Sequence, residues 1–352
     1  MTEAAYLNND LWNRALQRRE ELIDRLRAEQ TDAYRLFSGS AEGRPGLTVD
    51  RYGELLLVQN FFEPLREEER RLLEAFAGRE GLLLNIWPKF DKELMKAGSL
   101  EARQNLKDTA KLRTCLEQGQ KFYVDARSCG CDPYLYLDFR CGRRWLRAET
   151  KRRLDERQAG ASEPVRALNC FAYTCTAGVA ASQSGAVKVF NVDFGGWCLD
   201  LGRKNARLNS VRDKDFLCWQ EDFFPVIRQL AGLDVKGRGA RRRKYLHVKA
   251  QQFDIIVLDP PTLAKSIFGK VDIVNDYQAL LKPCLLALAP GGALLAVNHS
   301  SEVSGQGWRE ALLRCADKNK LALTSCEFLS LDEDFPAFAG SEHPVKVAVL
   351  RR

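Results

Sequence analysis

The most constraining stretch of this 352-residue chain is Phe253–Asp259, FDIIVLD, stopped at once by Pro260 and Pro261. A run almost continuous in Ile, Val and Leu suits a strand covered on both faces, which is the condition of a parallel sheet. Neither proline can donate a main-chain N–H, so the pair ends the ladder and stiffens the loop behind it. Parallel strands need crossover helices, and the flanking sequence supplies them. Arg166–Tyr173, Val187–Asp193, Asp215–Glu221, Phe253–Asp259 and Ala293–His299 read as strands. Thr176–Ser184, Trp197–Asn209, Asp222–Gly232, Asp272–Leu288 and Trp308–Asn319 read as the helices that follow them. Such strict alternation predicts an α/β fold with a doubly wound sheet. Leu321–Phe328 and Val345–Arg351 are separated only by a loop carrying Pro336 and Pro344. The sixth and seventh strands should therefore pair antiparallel.

Upstream the pattern differs. Asp10–Gln30 repeats Leu and Ile at three- and four-residue intervals among Arg, Glu and Gln, an amphipathic helix occupying residues 1–30. Strands at Arg35–Ser38, Leu47–Asp50, Glu54–Phe62, Gly81–Pro88 and Gln120–Asp125, with a helix at Pro64–Gly78, make residues 31–150 a small α+β domain. The polar stretch Lys151–Glu163 marks the boundary to a second domain, 151–352.

Composition excludes several classes. The chain is 45% hydrophobic and 29% charged, as an ordinary globular enzyme is. A net charge of +7 permits an anionic partner without requiring one. The N-terminal residues MTEAAYLNNDLW have no apolar core of signal-peptide length, and no apolar run approaches the roughly 20 residues that span a bilayer. Eleven scattered cysteines read as reduced thiols of a cytoplasmic protein. Cys129, Cys131 and Cys141 depart from zinc spacing and have no His nearby, so no metal is expected. The segment Lys236–Lys244 carries six basic residues in nine, readable as a phosphate clamp or as a solvated insertion. Oligomeric state stays open, a homodimer included.

The chemistry should sit at the carboxyl ends of the strands, where open α/β sheets bind ligands. The first strand runs into LNCFAYTCTAGVAAS, a turn of small residues opening a helix, whose main-chain N–H groups can face a ligand. It lacks the G-x-G-x-x-G of dinucleotide enzymes, which argues against an oxidoreductase. Asp193 ends the second strand, where an acid can accept from the ribose hydroxyls of a nucleoside; it could equally cap the next helix. Asp222 ends the third strand beside Phe223, suited to an adenine edge and ring or, again, to capping. Asp259 ends the fourth strand, fixed by the prolines at the mouth of the crevice. Three acids at three successive strand tips point to one nucleoside site.

These motifs together resemble a known family. LNCFAYTCTAG, NVDFGGWCLDLGRKNARLN, QEDFF and FDIIVLDPPTLAKS resemble the bacterial large-subunit ribosomal RNA methyltransferases, which include cytosine-C5 and guanine-N7 enzymes for 23S RNA. AYRLFSGSAEGRPGLTVDRYGELLLVQ resembles the family's small α+β domain, and CDPYLYLDFRCGRRWL its linker motif, so the likeness covers about Ala33 to Arg351. The resemblance does not extend to the PUA domain that several members carry, so none is expected in the stretch read here. The resemblance implies a seven-stranded class I methyltransferase sheet, Rossmann-like, with its last strand antiparallel. It implies S-adenosyl-L-methionine (SAM) as cofactor and RNA as partner. It also implies cofactor contacts from Asn169, Phe171, Tyr173, Asp193, Phe194, Asp222, Phe223 and Asp259, and from Asp138 and Arg140 of the linker motif. Catalysis would fall to Asp259, Pro260, Pro261 and His299. Arg35, Arg44 and Arg51 of the small domain would contact RNA phosphates.

Departures from the family refine the expectation. Cys175 stands where the family usually has Gly, Asp132-Pro133-Tyr134 where it commonly has Lys-Thr-Gly, and Leu263 where it has Phe. Cytosine-C5 transfer needs a thiolate to add at C6 of the ring. The stretch Val297–Ser301 that should carry that thiol is VNHSS, without cysteine. A guanine nitrogen already has a usable lone pair and needs mainly positioning, so N-methylation is expected over C5-methylation. The alternatives are a C5 enzyme, a methyltransferase of small molecules or proteins, and an inactive RNA-binding homologue.

Overall fold

The computed structural model describes residues 6–96, 112–125, 133–157, 163–182, 187–236, 241, 244–338 and 340–352. Cys129 and Cys131, Asp132, and most of the basic run Lys236–Lys244 lie outside them. The chain divides into two compact units, residues 1–139 with 331–341, and residues 140–330 with 342–352. The boundary therefore falls at Phe139/Arg140, not within Lys151–Glu163. The reason is a helix that the motif reading did not resolve, Arg140–Glu156, which carries Lys151–Glu156 as its last turns.

In the first unit, strands β1 (Ala33–Ser38), β2 (Leu47–Tyr52), β3 (Leu55–Asn60) and β4 (Leu83–Pro88) form one sheet in that order. β3 and β4 run parallel because the helix Glu67–Glu80 crosses between them. The amphipathic helix Asn9–Ala28 buries Trp12, Ala15, Leu22 and Leu26, which share a core with Phe37, Leu56 and Phe76. Its start is fixed by Asn8, whose side chain accepts from Leu11 N at 2.9 Å. A hairpin of β5 (Leu112–Glu117) and β6 (Gln120–Asp125) completes the unit. β5 was not legible in the sequence.

The three arginines expected to grip phosphates are engaged inside this unit. Arg35 forks onto Asp50 at 2.7 and 3.1 Å, and buried Arg44 donates to buried Glu69 at 2.8 Å. Arg51 donates to the Gly53 carbonyl and the Tyr34 hydroxyl at 2.9 and 3.2 Å. Each guanidinium stabilises a carboxylate or a turn of this unit.

In the second unit, β7 (Val165–Cys170), β8 (Val187–Asp193), β9 (Phe216–Gln220), β10 (Phe253–Leu258), β13 (Leu288–Asn298), β14 (Ser325–Leu329) and β15 (Lys346–Arg351) form a seven-stranded sheet in the order β14-β15-β13-β10-β7-β8-β9. The first five pair parallel, and β15 runs antiparallel to both β13 and β14. Chain order reverses between β10 and β7, which opens the crevice where such sheets take ligands. Ile255–Leu258 are all buried, as the unbroken apolar run requires. Helices Phe223–Leu230, Tyr277–Ala287 and Gly305–Lys318 share one apolar cluster with the sheet.

One expected helix is shorter than its sequence suggested. Instead of Asp272–Leu288, the helix spans Tyr277–Ala287. Asp272 closes a hairpin of β11 (Leu263–Lys265) and β12 (Lys270–Asp272), and its carboxylate accepts from Val274 N and Asn275 N. A short acid bonding to nearby main-chain N–H groups competes with helix, and here it wins.

The last strand is fastened to the first helix of this unit by Glu149. This buried carboxylate accepts from Arg152 at 2.7 Å, Arg153 at 2.8 Å and both terminal nitrogens of Arg351 at 3.1 and 2.9 Å. Burial opposes its ionisation, but the guanidiniums outweigh burial and hold its pKa at about 2. A depressed carboxylate stabilises the fold above its unfolded pKa and loses that contribution as pH falls through the folded one. Glu149→Gln should lower the melting temperature at pH 7, with a loss of stability of about 3 kcal/mol as for a broken buried pair. The gap to wild type should close as pH falls from the ordinary glutamate range towards about 2; a gap independent of pH would contradict the charge assignment.

Candidate active site

A cavity of about 300 Å³ opens at the carboxyl ends of β7, β8 and β9 and under the β11–β12 hairpin. Its wall is built by three turns. After β7 the main chain takes left-handed φ at Phe171 (57°), Tyr173 (48°) and Cys175 (57°). Side chains other than glycine resist that region by roughly 1–2 kcal/mol each, so the turn needs an outside hold. What holds this turn is Asp193. Its Oδ2 accepts from Tyr173 N at 2.9 Å and its Oδ1 from Gly195 N at 2.8 Å, so one carboxylate ties the turn after β7 to the turn after β8. Burial pushes the Asp193 pKa up, against the two main-chain N–H groups that favour the anion.

After β9, Asp222 caps the helix Phe223–Leu230 by accepting from Phe224 N at 2.8 Å. Glu221 beside it takes Asp222 N and Leu246 N on its two oxygens, both at 2.8 Å. The Phe171 and Phe223 rings stack with centroids 4.7 Å apart, giving the cavity an apolar floor. Phe194 lines the rim and is 72% exposed.

Of the residues singled out in the sequence, Phe171, Asp193, Phe194, Asp222, Phe223 and Pro261 line this one cavity. Asn169 does not: its side chain is buried and donates to Asn191 Oδ1 at 2.9 Å, a bond between neighbouring strands. Tyr173 contributes its main-chain N–H, while its ring packs edge-on against Trp197. Arg140 is buried at the start of the helix Arg140–Glu156, and Asp138 lies in the first unit on the short turn Leu137–Phe139. Pro260 is buried. Asp259 and His299 form a pair of their own at the ends of β10 and β13, with His299 Nε2 2.9 Å from Asp259 Oδ1. Sequence reading found no partner for His299; the register of two neighbouring parallel strands supplies one.

A family model described as S-adenosylmethionine-dependent methyltransferase matches residues 34–342. The chain belongs to that family. Among curated relatives, the ribosomal RNA large subunit methyltransferase I of Aeromonas hydrophila is 31% identical over 298 residues, covering 83% of this chain and 67% of the relative. The ribosomal RNA large subunit methyltransferase of Deinococcus radiodurans is 30% identical over 307 residues, covering 85% and 67%. The chain thus spans about two-thirds of the length of these relatives. Among solved structures, SMU.776, crystallised with SAH, superposes with a TM-score of 0.68 at 19% identity, covering 97% of this chain and 80% of that one. A SAM-dependent methyltransferase from Agrobacterium tumefaciens gives 0.60 at 17%, covering 91% and 90%. These two likenesses bear on the fold, a large and mostly parallel seven-stranded sheet.

The cavity is also lined by hairpin residues to which the sequence reading assigned no role. Ala264, Lys265, Ser266, Gly269 and Val271 reach the cavity from the hairpin. Strands of three residues are too short to show a period of two, so the hairpin itself was not legible although Ala264–Ser266 fall within the family-like FDIIVLDPPTLAKS stretch. Gly269 is needed for close approach: a Cβ there would stand 2.7–2.8 Å from the Phe224 ring. Gly269→Ala should push the hairpin off the ring and weaken SAM binding several-fold in calorimetry, with little change in melting temperature. Unaltered affinity would mean that the hairpin takes no part in covering the cavity.

Proposed function

We propose that this methyltransferase acts on a nucleobase of large-subunit ribosomal RNA, at a nitrogen of guanine. The names of the relatives support the RNA. The observation that carries the choice of nitrogen is chemical: among the described residues no cysteine lines the cavity, and VNHSS closes β13. Without a thiolate to add at C6, a pyrimidine C5 has no route to nucleophilicity. The free state of the nine described cysteines supports a cytoplasmic location.

The cavity fits the nucleoside end of SAM in size and chemistry. About 300 Å³ is at the small end of cofactor pockets, with apolar rings on the floor and carboxylates at the rim. Asp193 would receive the ribose hydroxyls, Asp222 the adenine edge, and Phe194 and Phe223 the flat faces of the ring. The turn after β7, with Arg140, would hold the amino-acid end. When bound, SAM supplies an electrophilic methyl group on a sulfonium. Pro260 and Pro261 hold the chain rigid where the acceptor base enters, beside the Asp259–His299 pair. That pair, with Nε2 2.9 Å from Oδ1, is placed to receive or orient the N–H of an acceptor. Positioning of this kind can contribute roughly 7–11 kcal/mol to a transfer whose nucleophile already carries a lone pair.

Four measurements test the reading. Asp193→Ala should weaken SAM binding at least about tenfold, the cost of a charge-assisted hydrogen bond. In the wild-type protein the affinity should begin to fall with acidification above the ordinary carboxylate range, because burial raises the pKa of Asp193. Methyl transfer to in vitro transcribed large-subunit rRNA, followed by mass mapping, should yield a methylated guanine; 5-methylcytidine as product would overturn the choice of nitrogen. Binding to that RNA should weaken steeply with salt.

A further inference from the structure

The turn that carries His299 is held by a buried lysine from the last strand. Lys346 is 8% exposed and opens β15, paired in register with Asn298. Its ammonium donates to the Ser300 carbonyl and to the Pro344 carbonyl, each at 2.8 Å. Burial pulls its pKa down, against the charge of Glu342, which precedes the strand. An ammonium taken out of water with carbonyl partners is costly, and the strand's other residues, Val347–Leu350, show what stability alone selects.

What that cation secures is the turn after β13. Tyr277 donates its hydroxyl to the Val297 carbonyl at 2.9 Å, and Asn298 Nδ2 donates to the Ile273 carbonyl at 3.1 Å. Asn298 Oδ1 accepts from Ser300 N at 2.9 Å, and Lys346 takes the Ser300 carbonyl. Val297, Asn298 and Ser300 are thus each bonded into the core, and the His299 imidazole stands 2.9 Å from Asp259. We propose that Lys346 is a positioning residue for methyl transfer, fixing through the Ser300 carbonyl the turn that presents His299 to Asp259. The inference rests on the acceptor-side role given above to the Asp259–His299 pair. A displacement of about 1 Å at such a pair can cost on the order of 100-fold in rate.

The test compares Lys346→Met, which keeps the length and loses the donor, with Lys346→Gln, which keeps a donor, and with His299→Ala. Transfer to in vitro transcribed large-subunit rRNA should show kcat reduced about 10–100-fold in Lys346→Met. KM and the SAM dissociation constant should stay unchanged, and Lys346→Gln should recover part of the rate. The double variant His299→Ala/Lys346→Met should be no slower than His299→Ala alone, since one residue acts through the other. A second readout needs no RNA. The chain has only 3 histidines, so the ring signals of His299 are assignable by NMR. They should be single and sharp in the wild type and broadened or doubled in Lys346→Met, with His247 unaffected. Should Lys346→Met not fold, Lys346→Gln against Lys346→Arg carries the same expectations. Full activity in His299→Ala would remove the role of the pair and this inference with it. Loss of activity in His299→Ala, with wild-type kcat and sharp His299 signals in Lys346→Met, would overturn this inference alone.

Discussion

The two hydrogen bonds accepted by Asp193 are the constraint on which the site depends. A turn with left-handed main chain at Phe171, Tyr173 and Cys175 is not one the sequence would adopt unaided, since no glycine stands at any of the three positions. Strain of that kind persists only where the surroundings over-determine it. Asp193 supplies the determination by bonding Tyr173 N on one side and Gly195 N on the other. The stacked rings of Phe171 and Phe223 then extend the tie to the end of β9. Three loops that belong to three different strands are thereby made into one wall.

A second polar layer lies just beneath the strand tips. Asn169 and Asn191 are partners in the β7–β8 register and bond through their side chains, and Asn191 goes on to the Leu217 carbonyl of β9 at 3.2 Å. On the far side of β10, Asn298 and Lys346 are partners in the β13–β15 register and fasten the turn after β13. Buried polar groups are expensive when unpaired and specify a single arrangement when fully bonded. Here they mark the level at which apolar packing stops and the cavity begins. The first unit uses the same device without a cavity: Arg19 and Glu42, and Arg44 and Glu69, are buried ion pairs that join its helices to the turn after β1.

Much of this was legible beforehand. The alternation of apolar strands with amphipathic helices from Val165 onward needs only local pattern, and residues such as Ile255–Leu258 advertise burial on both faces. Asp193, Asp222 and Asp259 were readable as strand-end acids for the same reason, because strand ends are where the pattern breaks. The hairpin at Leu263–Asp272 was not, since its strands are too short to have a period and its closing acid looks like a helix start. The helix Arg140–Glu156 was hidden by its charge, its buried face being formed partly by Arg143 and Glu149.

The sequence by itself determined the fold class, the family and the positions along the chain at which chemistry can occur, because these follow from short-range periodicity and from residue types at element ends. Tertiary structure alone decided which of those positions meet. It gave His299 its carboxylate, turned Asn169 inward to Asn191, and committed Arg35, Arg44 and Arg51 to partners within the first unit. The physical reason is that a side chain's partner is set by register and packing between segments far apart in the chain. No local pattern encodes the few ångströms that separate a ligand contact from an internal hydrogen bond.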